Sequence, residues 1–92
     1  MTNKKMLVGS LSNDLYRVSS LTQRGSDKAA LRFLAEAQRW VEALKNQDLP
    51  HYINEIVVDL NKQKNKKTLD LALAEKHLMY SVLLQNYSLH ID

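Results

Sequence analysis

Apolar residues recur along this chain at helical spacing. Leu7, Leu11, Leu15, Val18 and Leu21 follow in steps of four, four, three and three, one stripe of an α-helix over about residues 5–24. Gly25, directly after Arg24, predicts a left-handed stop behind a cationic last turn. A second stripe, from Ala30, Phe33, Leu34 and Ala37 to Trp40, Val41 and Leu44, predicts a helix over about 27–47. Ser26 is its expected N-cap, and Asp27 suits the positive end of the helix dipole. Arg32–Glu36 and Arg39–Glu42 are spaced to pair on the opposite face, each pair contributing about 0.2–0.5 kcal/mol. Trp40 and Phe33 read as core.

Pro50 opens a third helix, over about 50–63, as a first helical residue whose missing N–H costs nothing. Ile53, Ile56, Val57 and Leu60 form its stripe, with Tyr52 beside it. The fourth helix, about 69–87, is expected to follow Thr68 as N-cap, with Asp70 in the first turn. From Leu69 to Leu84 its apolar residues cover most of the circumference. A helix apolar all round is either central or carries a second buried face, which here would be a dimer seam or a partner site. The tail from Tyr87 is expected to pack back or fray. Four helices with short loops predict an all-α, antiparallel four-helix bundle, with residues 1–92 as one domain.

Composition narrows the function classes. With 92 residues, 45% apolar and 25% charged, the chain is a single ordinary globular domain, which excludes a multidomain enzyme or a low-complexity polymer. Two glycines and one proline are too few turn residues for an all-β domain. The absence of cysteine removes disulfides, thiolate zinc sites and a cysteine nucleophile, and suits a reducing compartment. The apolar patch behind Lys4 and Lys5 dies in Ser12, Asn13 and Asp14, too short for a signal peptide. No stretch approaches the roughly 20 apolar residues of a membrane span. A cytoplasmic chain is expected, possible at the inner membrane face as a peripheral protein.

The net charge is +3, and residues 1–24 carry all of it. The acidic and basic residues of 51–92 balance, yet four lysines cluster at Lys62, Lys64, Lys66 and Lys67. That cluster reads either as a solvated inter-helix loop or as an electrostatic footprint for phosphates, anionic lipid or an acidic protein. It has no interleaved aromatics and no major-groove helix signature, so sequence-specific nucleic-acid binding is not expected. The alternation Asp59, Asn61, Gln63, Asn65, Asp70 falls short of a calcium loop, because Lys64 stands at the glycine position and Asp70 at the bidentate glutamate position. His51, Glu55 and Asp59 line one helix edge but read as a solvated polar edge rather than metal ligands. His77, near Tyr80, Ser81 and Tyr87, reads as a partly buried structural histidine. No residue set supports catalysis, and no metal or cofactor is expected.

The order of signals resembles a known family, the small cytoplasmic immunity proteins that protect lactic acid bacteria from pediocin-like bacteriocins, of the enterocin A and lactococcin A immunity type. Asp14-Leu15-Tyr16 resembles the opening of their first helix, and Leu31-Arg32-Phe33-Leu34-Ala35-Glu36-Ala37 their second. The stretch from Asp48-Leu49-Pro50 to Ile56 resembles their lead-in to helix three, and Lys67-Thr68-Leu69 with Leu73 and Leu78–Leu84 their helix four. Helix two is about two residues longer than the family pattern, the loop before Thr68 is richer in lysine, and the tail is shorter. The resemblance implies a four-helix bundle that is not an enzyme. It implies binding, from the cytoplasmic side, to a membrane permease of the mannose phosphotransferase type once bacteriocin has engaged it. Apolar excess and charge place the partner surface at Lys62, Lys64, Lys66, Lys67, Tyr80, Tyr87 and His90. The competing reading is a small helical interaction or assembly module, with homodimerisation through helix four. A tight dimer in solution would favour that second reading.

Overall fold

The computed structural model describes residues 3–91. Four helices follow in order: α1 (Lys4–Gln23), α2 (Asp27–Leu44), α3 (His51–Lys62) and α4 (Leu71–His90). Among the described residues there is no strand. The all-α bundle expected from the periodicity is therefore the observed fold.

Local chemistry explains the helix ends. The Asn3 side chain caps α1, accepting from the Met6 N–H. At its other end Gly25 adopts φ 79°. The Gly25 N–H donates to the Thr22 carbonyl and the Ser26 N–H to the Leu21 carbonyl, the paired bonds of a Schellman stop. Ser26 precedes α2 but makes no side-chain cap bond, and α2 ends at Leu44 rather than near residue 47. Pro50 stands one position earlier than expected. It is the N-cap of α3, with ψ 152°, and His51 is the first helical residue. The cap of α4 is Asp70, not Thr68, because the Asp70 carboxylate accepts the Leu73 N–H at 2.8 Å. Leu69 stays outside the helix and packs against Val18, Ala30 and Leu34. The tail does not fray at Tyr87, since α4 runs on to His90.

Cross-helix bonds define the topology. Trp40 of α2 reaches Asp14 of α1, Ser12 of α1 reaches the Ser81 carbonyl of α4, and Tyr80 of α4 reaches Asp59 of α3. Each neighbouring pair runs antiparallel. The main core joins Leu7, Val8, Leu11 and Leu15 of α1 to Val41 and Leu44 of α2, Ile53, Val57 and Leu60 of α3, and Leu84 of α4.

The central element is α1, not α4. It packs against both α2 and α4, and even Ser12, Asp14, Ser19 and Thr22 are buried on it. Small residues make the α1–α4 approach close: Ser12 donates to the Ser81 carbonyl at 2.7 Å, and Ser88 is buried facing the start of α1.

Candidate functional site

Helix α4 faces the bundle with the opposite of its average composition. Its buried side carries Ala74, His77, Tyr80, Ser81, Leu84 and Ser88. Leu71, Leu78, Met79, Val82, Leu83 and Leu89 are exposed, with Leu71 and Leu89 at 64% and 65%. The side of α4 away from the bundle is therefore apolar. Its only acidic residue there is Glu75, and Gln85 and Asn86 are exposed beside it.

Two of the inward polar groups, Tyr80 and His77, are tied up by α3 and its C-cap Gln63. The Tyr80 hydroxyl donates to Asp59 Oδ2 at 2.6 Å, and Lys76 Nζ approaches the same oxygen at 3.0 Å. Burial pushes the Asp59 carboxyl up, but the Tyr80 and Lys76 hydrogen bonds and the Lys76 charge hold it below its ordinary value. The Tyr80 hydroxyl is raised by burial and by the Asp59 carboxylate, so it stays a neutral donor. One helical turn away, His77 is fully buried and its Nε2 lies 2.7 Å from Gln63 Oε1. An amide oxygen only accepts, so Nε2 carries the proton and donates. His77 Nδ1 is then a buried acceptor with no partner among the described residues. Burial pulls the His77 pKa down to about 4, which keeps the ring neutral. This histidine is structural.

The expected partner residues fall into three places. Lys62, Lys64, Lys66 and Lys67 are all exposed where α3 hands over to α4. Tyr80 is turned inward, and the contact expected of it is made with Asp59. Tyr87 is half-buried against Tyr52, their rings edge to face at 6.4 Å, and His90 is exposed with its ring bonded to the Asn86 carbonyl. Tyr87 and His90 thus lie at the far end of α4 from the lysines. The rise from Leu71 to Leu89 alone is about 27 Å. One chain does not gather these residues into a single patch.

The remaining polar candidates sit apart. His51 and Glu55 form an exposed pair at 3.0 Å, while Asp59 belongs to Tyr80 and Lys76. Among the described residues no three His, Asp or Glu gather with metal-holding geometry. Glu42 pairs with Lys45 at 2.9 Å rather than with Arg39. Phe33 is half-buried, and the Arg17 guanidinium lies 5.4 Å from its ring centre. The hollow beside Phe33, about 330 Å³, is open and lined by Ala29, Arg32, Phe33 and Glu36 of α2. Sequence reasoning missed the Asp59–Tyr80 and Gln63–His77 links, which join residues 21 and 14 positions apart. The periodicity of either helix alone carries no signal for them.

No helix of the described residues is long and apolar enough to cross a membrane. Comparison with protein-family models, curated proteins and solved structures finds no match to this chain.

Proposed function

We propose that this chain is a bacteriocin immunity protein. It acts without catalysis, by docking from the cytoplasmic side onto a membrane permease of the mannose phosphotransferase type that a bacteriocin has engaged. The observation that carries this reading is the lysine turn. Four lysines stand exposed at one tip of the molecule, at the junction of α3 and α4. A basic tip of this kind is drawn to the anionic inner leaflet, at about 1 kcal/mol per lysine near the surface. The resemblance of the helices to the immunity family supplies the role, and the bundle supplies a rigid frame. Protection must be conditional, so the docked surface has to fit the engaged permease better than the free one.

The test is survival. The chain is expressed in a sensitive lactic acid bacterium and challenged with a panel of pediocin-like and lactococcin-like bacteriocins. Protection against one or two members is the expected result. Charge reversal at Lys62, Lys64, Lys66 and Lys67 should weaken protection and leave the helical circular dichroism unchanged. Full protection by that variant would remove the turn from the mechanism, and no protection by the unaltered, soluble chain would sink the reading.

A further inference from the structure

The outer face of α4 has a second regularity. Leu71, Glu75, Leu78, Val82, Gln85 and Leu89 follow in steps of four, three, four, three and four. That is the 3.5-residue period of a coiled-coil seam, and all six are exposed. The row also reads the same in both directions about Tyr80. In an antiparallel pair, Leu71 meets Leu89, Glu75 meets Gln85 and Leu78 meets Val82. A two-fold axis repeats each layer, as an isologous dimer requires.

Charge selects this arrangement over the parallel one. Antiparallel, the lone carboxylate of the seam faces a neutral amide that can donate to it. Parallel, Glu75 would face Glu75, and the two lysine turns would lie side by side. Antiparallel pairing also sets each lysine turn beside the C-terminal end of the other α4, where the helix dipole favours cations. Met79 and Leu83 widen the seam on one flank, and Tyr16 of α1, 59% exposed, borders Leu78 on the other.

We propose that two copies of this chain pair through the outer seam of α4, antiparallel about a two-fold axis at the level of Tyr80, and that the pair completes the docking surface. The second part rests on the role given above to the lysine turn. A two-fold keeps matching flanks on the same face. The lysine turn leaves α3, and Tyr87 meets Tyr52 of α3, so both stand on the α3 flank of α4; Lys62, Lys64, Lys66 and Lys67 of one copy therefore share an end of the dimer with Tyr87 and His90 of the other. The surface that one chain splits across the length of α4 is assembled twice in the pair. The seam is one helix wide, so the dimer is weak and concentration-dependent, at the low end of specific interfaces.

Sedimentation equilibrium tests the pairing. The mass should rise from 10.6 kDa towards twice that value through the micromolar range. Val82→Glu should hold the chain at monomer mass with unchanged circular dichroism, because Val82 is already 51% exposed. Gln85→Lys, opposite Glu75, should move the transition to lower concentration. Direction is read by oxidation, since the chain has no cysteine of its own. Leu71→Cys mixed with Leu89→Cys should give a disulfide dimer, and neither variant alone should. A monomer at every concentration, or cross-links between identical positions, would overturn the pairing. Loss of protection by Val82→Glu supports the completed surface, and full protection by it overturns that part alone. An antiparallel cross-link in a chain that protects against no bacteriocin would uphold the pairing and sink the immunity reading.

Discussion

The Trp40 indole N–H donates to Asp14 Oδ2 at 2.8 Å, tying α2 to α1 through a buried carboxylate. Burial raises the Asp14 pKa and Glu36 adds to this, against the Trp40 bond and the Arg17 charge. A raised folded pKa means that ionised Asp14 subtracts stability at neutral pH, and that the loss is relieved as pH falls through that pKa. Asp14→Asn keeps an acceptor for the indole and removes the buried charge, so at pH 7 it should stabilise rather than destabilise. Asp14→Ala leaves the indole N–H unpaired and should cost about 1–3 kcal/mol. Thermal unfolding of the two variants checks both signs.

Tyr80→Phe removes the hydroxyl that Asp59 accepts. A hydrogen bond to a charged acceptor contributes about 1.5–3 kcal/mol, and Lys76 remains to pair with the carboxylate, so the lower half of that range is expected. Protection in the survival assay should not change, because the side chain faces α3 rather than a partner. Urea unfolding gives the first quantity. A variant that is stable but unprotective would return Tyr80 to the docking surface.

His77 makes stability depend on pH. Its folded pKa is about 4, against 6.5 for the free side chain. The unfolded chain therefore binds the extra proton between those values. The contribution of neutral His77 is complete above pH 6.5 and is lost as pH falls towards 4, by about 3 kcal/mol at most. Asp59, Lys76 and Lys66 are the charged groups that bear on it. Denaturation curves from pH 7.5 to 4 should show this loss in the unaltered chain and a flatter profile in His77→Gln, whose amide still reaches Gln63. Parallel profiles would assign the pH dependence to the carboxylates instead.

Leu15 of α1 and Leu89 of α4 should respond to truncation with losses of very different size. Leu15 is fully buried at the centre of the main core, so Leu15→Ala should cost about 2–5 kcal/mol. Leu89 is 65% exposed, and Leu89→Ala should stay within about 0.5 kcal/mol at monomer concentrations. Chemical denaturation at low protein concentration separates the two. A large loss at Leu89 would mean that this face of α4 is covered within one chain.

Four helices could be read from the chain because each signal is local. Apolar steps of three and four, Gly25 behind Arg24 and Pro50 before His51 act within a few residues. The lysine turn was legible for the same reason, since a run of charges between two helices has nowhere to go but solvent. Which helix sits in the middle was not legible. Helix α1 holds that place by burying Ser12, Asp14, Ser19 and Thr22 as well as its leucine stripe. Those polar residues are tolerated because each finds a partner: a carbonyl for Ser12 and Thr22, the Trp40 indole for Asp14 and the Gln23 amide for Ser19. The facing of α4 was hidden for a related reason. Apolar residues nearly all round leave its periodicity with no preferred side. The choice falls to contacts made elsewhere in the chain: Ser81 and Ser88 are small enough for α1 to approach, Tyr80 finds Asp59 on α3, and His77 finds Gln63 at its C-cap. Once those polar groups are held inside, Leu71, Leu78, Val82 and Leu89 are left facing out.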